Sequence, residues 1–425
     1  MNTILLRGVT LKNETKDILI EGNIIKKIIG RDRDGQPLER VGAARVLNCS
    51  GKVAIPGFIN MHTHSAMTLL RGISEDAPLK VWLSKIWPIE ARLDNETVYW
   101  GTRLAILEMI KTGTTCFLDM YWKAHEAAKA ADEMGIRAFV TYNFLDNFDS
   151  ETAERQKAGC LRLYETSKDW PDRVRMGVSV HADYTTSEDT MVWAHDFARE
   201  HQMVFTGHMC ETAAETQEDI NKYGITPPAH FDSLGVLQDM IVAHGVWLTP
   251  EDIELLSQRG ATVVHNINSN LKLASGYKFK YNELRDAGVN VCIGTDGAAS
   301  SNNLDIREAL KTMTFLQKAW REDPGAMPLD QLMDVATVNG AKALGLNAGR
   351  IEEGCLADIS LVDTNSEAFV PNFNFTGNLI YSANSSCIDT VICDGRIIME
   401  NRKVPGEEEI LERAGHLAQK LVNIW

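Results

Sequence analysis

The chain has 425 residues, too many for an ordinary single domain unless that domain is a large α/β barrel, so size alone points to a barrel with a small satellite. Its 43 Lys and Arg against 58 Asp and Glu leave a net charge of −15, a field that repels phosphate backbones and anionic headgroups and excludes nucleic acid and membrane as expected partners. Hydrophobic residues at 44% and charged ones at 24% are the proportions of a soluble globular chain, and the first apolar run, Ile4-Leu5-Leu6, ends at Arg7, too short for a signal peptide or a spanning helix. A cytoplasmic protein is the expectation.

From the N-terminus to about residue 54, short alternating strands (Ile4-Leu5-Leu6, Asp17-Ile18-Leu19-Ile20, Lys26-Lys27-Ile28-Ile29) are separated by Gly, Asn and charged turns, an antiparallel β texture. The texture returns at Ala357-Asp358-Ile359-Ser360-Leu361-Val362 and at Thr390-Val391-Ile392-Cys393-Asp394-Gly395-Arg396, the second with an Asp-Gly turn signal. Residues 1–55 and 348–425 are therefore expected to form one small β-sandwich from both ends of the chain. Between them, 56–347 alternates β-branched runs with 3.6-period segments such as 96–111, 187–200 and 304–320. Eight strand candidates end near His64, Asp119, Phe144, His181, His208, His244, His265 and Asp296, which predicts a (β/α)₈ barrel with its chemistry at these strand ends. The last segment, from about Gly406, places Ile410, Leu411, Ala414, Leu417, Ala418, Leu421 and Val422 on one helical stripe, read as a packing helix first and a subunit interface second. Eight cysteines with no C-x-x-C pair, several inside apolar runs, read as buried free thiols.

His62 and His64, spaced i, i+2 after the apolar run 53–59, point to one side of a strand and can chelate one ion. An H-x-H alone is a weak signal. His208 after the run 203–206 and Asp296 after the run 291–294 add two more ligands on the same rim, and three nitrogens with one oxygen favour Zn²⁺, with Fe²⁺ or Mn²⁺ as alternatives.

These residues resemble a known family. Pro56-Gly57-Phe58-Ile59-Asn60-Met61-His62-Thr63-His64, His208 with Glu211, Ala243-His244-Gly245, Val264-His265-Asn266 with Ser269-Asn270-Leu271-Lys272-Leu273, and Gly294-Thr295-Asp296-Gly297-Ala298 are similar in kind and order to the amidohydrolase superfamily. Within it they are most similar to the deaminase and chlorohydrolase branch, especially the 5′-methylthioadenosine/S-adenosylhomocysteine deaminases. The resemblance implies His62, His64, His208 and Asp296 as ligands of a single metal, since the strand 174–180 ends in His181 and not in the lysine a two-metal member would need. It also implies hydrolytic deamination of adenosine-type nucleosides: a zinc-bound water, with its pKa lowered to about 7, supplies hydroxide to the amino-bearing ring carbon. Asp296 and His244 would take and orient the water's proton, and Glu211 would protonate the adjacent ring nitrogen and then the departing ammonia. A glutamate at position 211 has a plainer explanation, a first-turn residue favoured by a helix dipole.

For the substrate, the resemblance implies that Trp82 lines the base pocket and Glu90 accepts from the ribose diol, both in a loop after the first barrel strand, and that His181, at the end of the strand 174–180, contacts the nucleoside. One departure is clear. Where members that accept S-adenosylhomocysteine carry an Arg after the third strand, this chain has Tyr142, with Arg155 as a loose candidate replacement, which speaks against a carboxylate tail and for 5′-methylthioadenosine, 5′-deoxyadenosine or adenosine. Rival readings are the same chemistry on guanine, a pterin or an s-triazine, which have no diol for Glu90, and a non-catalytic scaffold relative, whose hallmark would be missing ligands. A homo-oligomer is compatible with the sequence.

Overall fold

The computed structural model describes residues 3–422. Its strands in chain order are β1 Thr3–Leu11, β2 Glu14–Glu21, β3 Ile24–Ile29, β4 Arg45–Asn48, β5 Lys52–Pro56, β6 Phe58–Thr63, β7 Thr114–Tyr121, β8 Arg137–Phe144, β9 Val174–Val180, β10 Phe205–Met209, β11 Ile241–His244, β12 Thr262–His265, β13 Asn290–Ile293, β14 Ile359–Asp363, β15 Ile388–Cys393 and β16 Arg396–Met399. The first six helices longer than two turns are α1 Leu79–Glu90, α2 Asn95–Lys111, α3 Ala124–Met134, α4 Ser150–Ser167, α5 Glu188–Glu200 and α6 Ala213–Tyr223.

Strands β6 to β13 pair in sequence order, every pair parallel. A parallel strand is covered on both faces, so it reads as a continuous buried run; all eight residues of β7 are buried. One face fills the barrel, where Met61, Cys116, Leu118, Phe139, Val264 and Cys292 pack with Ala341 and Leu344, and the other meets the surrounding helices. The eighth strand returns to the first through main-chain bonds, Thr295 N and Asp296 N both donating to His62 O at 3.1 and 3.0 Å. This is the (β/α)₈ barrel that the alternating pattern predicts.

The terminal strands form a second sheet, ordered β16-β15-β14-β5-β1-β2-β3 with β4 beside β1. The two ends of the chain meet where β14 runs antiparallel to β5. Its core is its own, with Ile4, Leu6, Ile18, Ile20, Ile359 and Ile392 in one cluster. Asp394 and Gly395 both take positive φ, 50° and 67°, the pair that a two-residue hairpin turn requires. A Cβ on Gly395 would stand 1.9 Å from the Gly22 carbonyl oxygen, so that position admits only glycine. Between sheet and barrel, buried Arg137 donates to Asp358 through Nε (2.8 Å) and Nη2 (3.2 Å) and to Asp394 through Nη2 (3.1 Å), a paired charge that is costly to break.

Three local expectations change. The segment read as a loop after the first barrel strand is helix α1, whose buried positions Trp82, Ile86, Ile89 and Glu90 recur at helical spacing. Strand β7 runs two residues beyond Asp119 to Tyr121, which brings Tyr121 to the barrel mouth. The last helix, Glu407–Val422, buries Ile410, Ala414, Leu417 and Leu421, but Leu411 is 55% exposed; three of the buried positions pack with Leu70 and Val98, the packing role. Residues 423–425, also assigned to that tail, lie outside the described residues. All eight cysteines are free and buried, and among the described residues no helix is long and apolar enough to cross a membrane.

Candidate active site

His62 and His64 leave the end of β6 on one side, as the strand alternation requires. Their Nε2 atoms lie 3.5 and 3.1 Å from Asp296 Oδ1, and His208 Nε2 stands 3.2 Å from His62 Nε2 and 3.3 Å from His64 Nε2. Donors held at 2.0–2.1 Å around one tetrahedral ion are about 3.3 Å apart, so this spacing fits a single divalent cation. The far sides of the rings agree: His64 Nδ1 donates to Met120 O at 2.5 Å and His208 Nδ1 to His181 O at 2.7 Å, which leaves both Nε2 lone pairs facing the cluster. Burial keeps His62 neutral, lowered to about 4, and holds His208 well below its usual range. At His64 burial is outweighed by the Asp296 carboxylate, which raises it to about 9; a dication held by these residues would take that proton's place.

Asp296 is ionised in spite of its burial because the imidazoles hold it far below the usual carboxylate range. Its Oδ2 accepts from Ser269 Oγ at 2.6 Å and Ser300 Oγ at 2.8 Å, which turns Oδ1 to the histidines. Its φ of +59° and the +78° of His244 are uncommon for residues with a Cβ and mark backbone strain at the site.

Glu211 lines the same cavity. Burial, and then the Asp296 charge, push its carboxyl up to about 8. Ser275 Oγ is 3.4 Å from its Oε1 and His244 Nε2 is 3.6 Å from its Oε2. The helix-dipole explanation of Glu211 does not hold. It precedes Thr212, the N-cap of α6, and the carboxylate serving the helix is Glu215, which completes a capping box with Thr212 and accepts from Glu211 N at 3.2 Å. His244 is neutral, lowered to about 4 by burial. Asn270 Nδ2 lies 2.9 Å from its Nδ1; with the amide donating, the ring carries its proton on Nε2 and faces the cavity as a donor.

Across the cavity, α1 supplies Trp82, whose buried indole N–H has no partner among the described residues, and Glu90, which accepts from the Tyr121 hydroxyl at 2.7 Å and is raised by burial to about 7. His181 lines the wall too; burial holds it near 3, and its Nδ1 meets Thr185 Oγ1 at 2.9 Å. His62, His64, His208, Asp296, Glu211, His244, Trp82, Glu90 and His181 thus lie at one barrel mouth, whereas Arg155, the candidate for pairing a substrate tail, is exposed on α4 and donates to Thr152 Oγ1 at 3.0 Å. Other strand ends do not join them. Asp119 accepts from Ser65 N and Oγ at 2.7 and 2.9 Å and fixes the turn after His64, His265 lies flat on Phe279 with centroids 3.9 Å apart, and Phe144 is core. Tyr142 is also elsewhere. Its neighbour Asn143 faces the cavity, while Tyr142 turns outward to α4, where a Cβ on Gly159 would come within 2.3 Å of its hydroxyl. Tyr121, Ser300 and Asn270 were given no role from the sequence; of these only Tyr121 had a usable signal, the apolar run that continues past Asp119.

The amidohydrolase family model matches residues 53–398. The chain belongs to the amidohydrolase family. This amidohydrolase is 43% identical over 380 residues to the 5′-deoxyadenosine deaminase of Methanoregula boonei, covering 89% of this chain and 86% of that one. It is 43% identical over 401 residues to the 5-methylthioadenosine/S-adenosylhomocysteine deaminase of Thermococcus sibiricus, covering 94% and 93%. Among solved structures, an adenosine deaminase from Xanthomonas campestris with bound zinc superimposes with a TM-score of 0.91 at 32% identity, covering 99% of this amidohydrolase and 98% of that chain.

If the cluster is one metal site, metal analysis of the purified amidohydrolase finds about one divalent ion per chain. A ratio near two, or none after growth with zinc, contradicts a single site.

Proposed function

We propose that this amidohydrolase removes the exocyclic amino group of adenosine-type nucleosides by hydrolysis, giving the inosine analogue and ammonia. The observation that carries the reading is the arrangement of the cavity: the His62, His64, His208 and Asp296 cluster at its floor, a Glu211 carboxyl held protonated at neutral pH beside it, and the Glu90 carboxylate on the opposite wall. The three imidazoles and Asp296 suit Zn²⁺ best. Bound there, such an ion makes a water nucleophilic near neutral pH.

The protein's own groups do the rest. As water adds to the amino-bearing carbon, Asp296 Oδ1 takes its proton, and His244, donating through Nε2, orients the water and stabilises the oxygen as charge develops. Glu211 gives its proton to the neighbouring ring nitrogen. The proton held by Asp296 then passes to the amino group, the carbon–nitrogen bond breaks and ammonia leaves, and the hydroxyl gives its remaining proton back to Glu211 as the ring carbon keeps the oxygen as a carbonyl. A carboxyl raised toward neutrality suits Glu211 to proton delivery, whereas an ordinary glutamate is almost fully ionised at that pH. Trp82 provides an apolar wall and a free N–H for the base, and Glu90, fixed by Tyr121, leaves Oε2 free for the ribose diol.

Glu211→Gln is expected to keep the metal and lose 10²–10⁴-fold in kcat, the usual contribution of a positioned proton donor; loss of metal instead makes Glu211 a ligand and the assignment wrong. Glu90→Ala should weaken adenosine by about 1.5–3 kcal/mol in kcat/KM and leave 2′,3′-dideoxyadenosine alone. Because Glu90 is raised to about 7, the carboxylate that accepts from the diol is present above that pH and lost below it. KM for adenosine should therefore rise as pH falls through about 7, and the dideoxy compound should lack this step. Identical pH profiles for the two sugars count against the diol assignment.

A further inference from the structure

A second group of acids adjoins Glu211. Helix α6 presents Glu215 and Asp219 on one face, one turn apart, and the Asp183 carboxylate approaches that face from the turn that follows β9. The three residues are 6%, 3% and 2% exposed, in that order. Four of their six carboxylate oxygens, both of Asp183 with Glu215 Oε1 and Asp219 Oδ2, meet no donor among the described residues. The other Glu215 oxygen, Oε2, accepts from the amides of Glu211 and Thr212 at 3.2 Å each. Carboxylates buried in this way cannot all be ionised: an anion with no donor and a like charge beside it binds a proton instead.

The proton has a definite place to sit. Asp219 faces Asp183 at hydrogen-bonding distance, and burial, that carboxylate and Glu215 together push it well above the usual carboxylate range. Glu215 is pushed up as well, by burial and then by Glu211 and Asp183, although the two amides oppose it. Tyr184 and Cys210, the other titratable groups beside the acids, are raised by burial first and then by these carboxylates, and stay neutral. Asp252, which also acts on Cys210, is engaged elsewhere, by Thr249 N at 2.8 Å and by the Thr226 hydroxyl. The cation acting on Asp219 is Lys222, which is exposed and holds its Nζ 4.5 Å from the ring centroids of both Phe148 and Tyr223. A proton on Asp219 makes it a donor, and Asp183 is the acceptor in front of it.

We propose that Asp183 and Asp219 share one proton, and that the bond it makes is a positioning contact between the turn that begins at His181 and the helix that begins after Glu211. Among the described residues no other side-chain hydrogen bond joins that turn to α6: His181 and Thr185 bond to each other, Thr185 to Ala182 O and Thr186 to Phe144 O. Neither aspartate lines the cavity. The bond thus sets from outside the spacing of two of its walls, one carrying His181 and the other Glu211. When the proton leaves to solvent, two facing carboxylates repel and the contact is lost. The folded protein holds a proton that ordinary aspartates in the unfolded chain have lost by neutral pH. Its contribution to stability is therefore complete in acid and is lost as pH rises through the raised value of the pair. The shared proton is independent of what the cavity binds; its effect on turnover rests on the nucleoside reading above.

The test compares melting temperatures of the metal-replete protein, Asp219→Asn, Asp183→Asn and the double variant from about pH 6 to about pH 10. Asparagine keeps a donor facing the remaining carboxylate but has no proton to lose. The unaltered protein is expected to lose melting temperature with rising pH more steeply than Asp219→Asn. Asp183→Asn should flatten the curve to the same extent and the double variant no further, because one and the same proton is removed each time. Parallel curves for all four proteins overturn the proposal, as do single-variant effects that add in the double, which mean two separate protons. So does a melting temperature raised by Mg²⁺ or Ca²⁺ in the unaltered protein and not in Asp219→Asn, which puts a cation where the proton is placed. For the positioning role, Asp219→Asn should keep kcat on adenosine within about threefold of the unaltered value and Asp219→Ala should lose at least about tenfold; equal kcat in the two variants contradicts it. No ammonia from adenosine with the unaltered protein overturns the nucleoside reading alone, and the melting curves still decide the shared proton.

Discussion

The structure depends on the closure of the barrel at one carbonyl. His62 O accepts from the amides of both Thr295 and Asp296, which ties the first strand to the last at the level where the chemistry lies. Without that junction His62 and His64 would sit at one edge of an open parallel sheet and Asp296 at the other. With it, one carboxylate oxygen is held 3.1–3.5 Å from two imidazole nitrogens, and His208 arrives from β10 across the lumen. The positive φ at Asp296 is the local strain of that turn, sustained by the bonds from Ser269 and Ser300 to its carboxylate.

Burial then divides the acids by task. Asp296, Glu211 and Glu90 are all nearly inaccessible, and desolvation alone would raise all three. Asp296 escapes because imidazoles and hydroxyls surround it, and it stays an anion suited to a cation and to a water's proton. Glu211 has only distant partners and the repulsion of Asp296, so it keeps its proton near neutral pH. Glu90, relieved in part by Tyr121, lies between the two. The same residue type is raised further on one wall than on the other because its neighbours differ.

Much of this was legible in the chain. Barrel strands buried on both faces announce themselves as apolar runs, and His or Asp directly after such runs marks the mouth of a parallel barrel. The weaker readings have physical causes as well. Helix α1 was taken for a loop because Trp, Pro and charged residues are interspersed among its buried positions, and its periodicity shows only once the face it covers is known. Tyr121 was missed because an apolar run has no internal mark of where its strand stops. Tyr142 was placed by position along β8, but successive strand residues face opposite ways, and a shift of one residue moves a side chain from the cavity to the helices outside. The supports given by Ser300, Asn270 and Glu215 depend on tertiary approach and carry no spacing signal.

The central claim is that one cavity combines a metal cluster, a protonated glutamate and a diol acceptor, and so selects an aminated ring that bears a ribose. Ammonia release by the metal-replete protein, measured in parallel on adenosine, 5′-deoxyadenosine, adenine, guanine and an amino-substituted s-triazine, tests it most directly. The account predicts fast release from the two nucleosides, with conversion to the 6-oxo products, and little from the free bases or the triazine. Turnover of a free base or the triazine that matches or exceeds that of the nucleosides would contradict it.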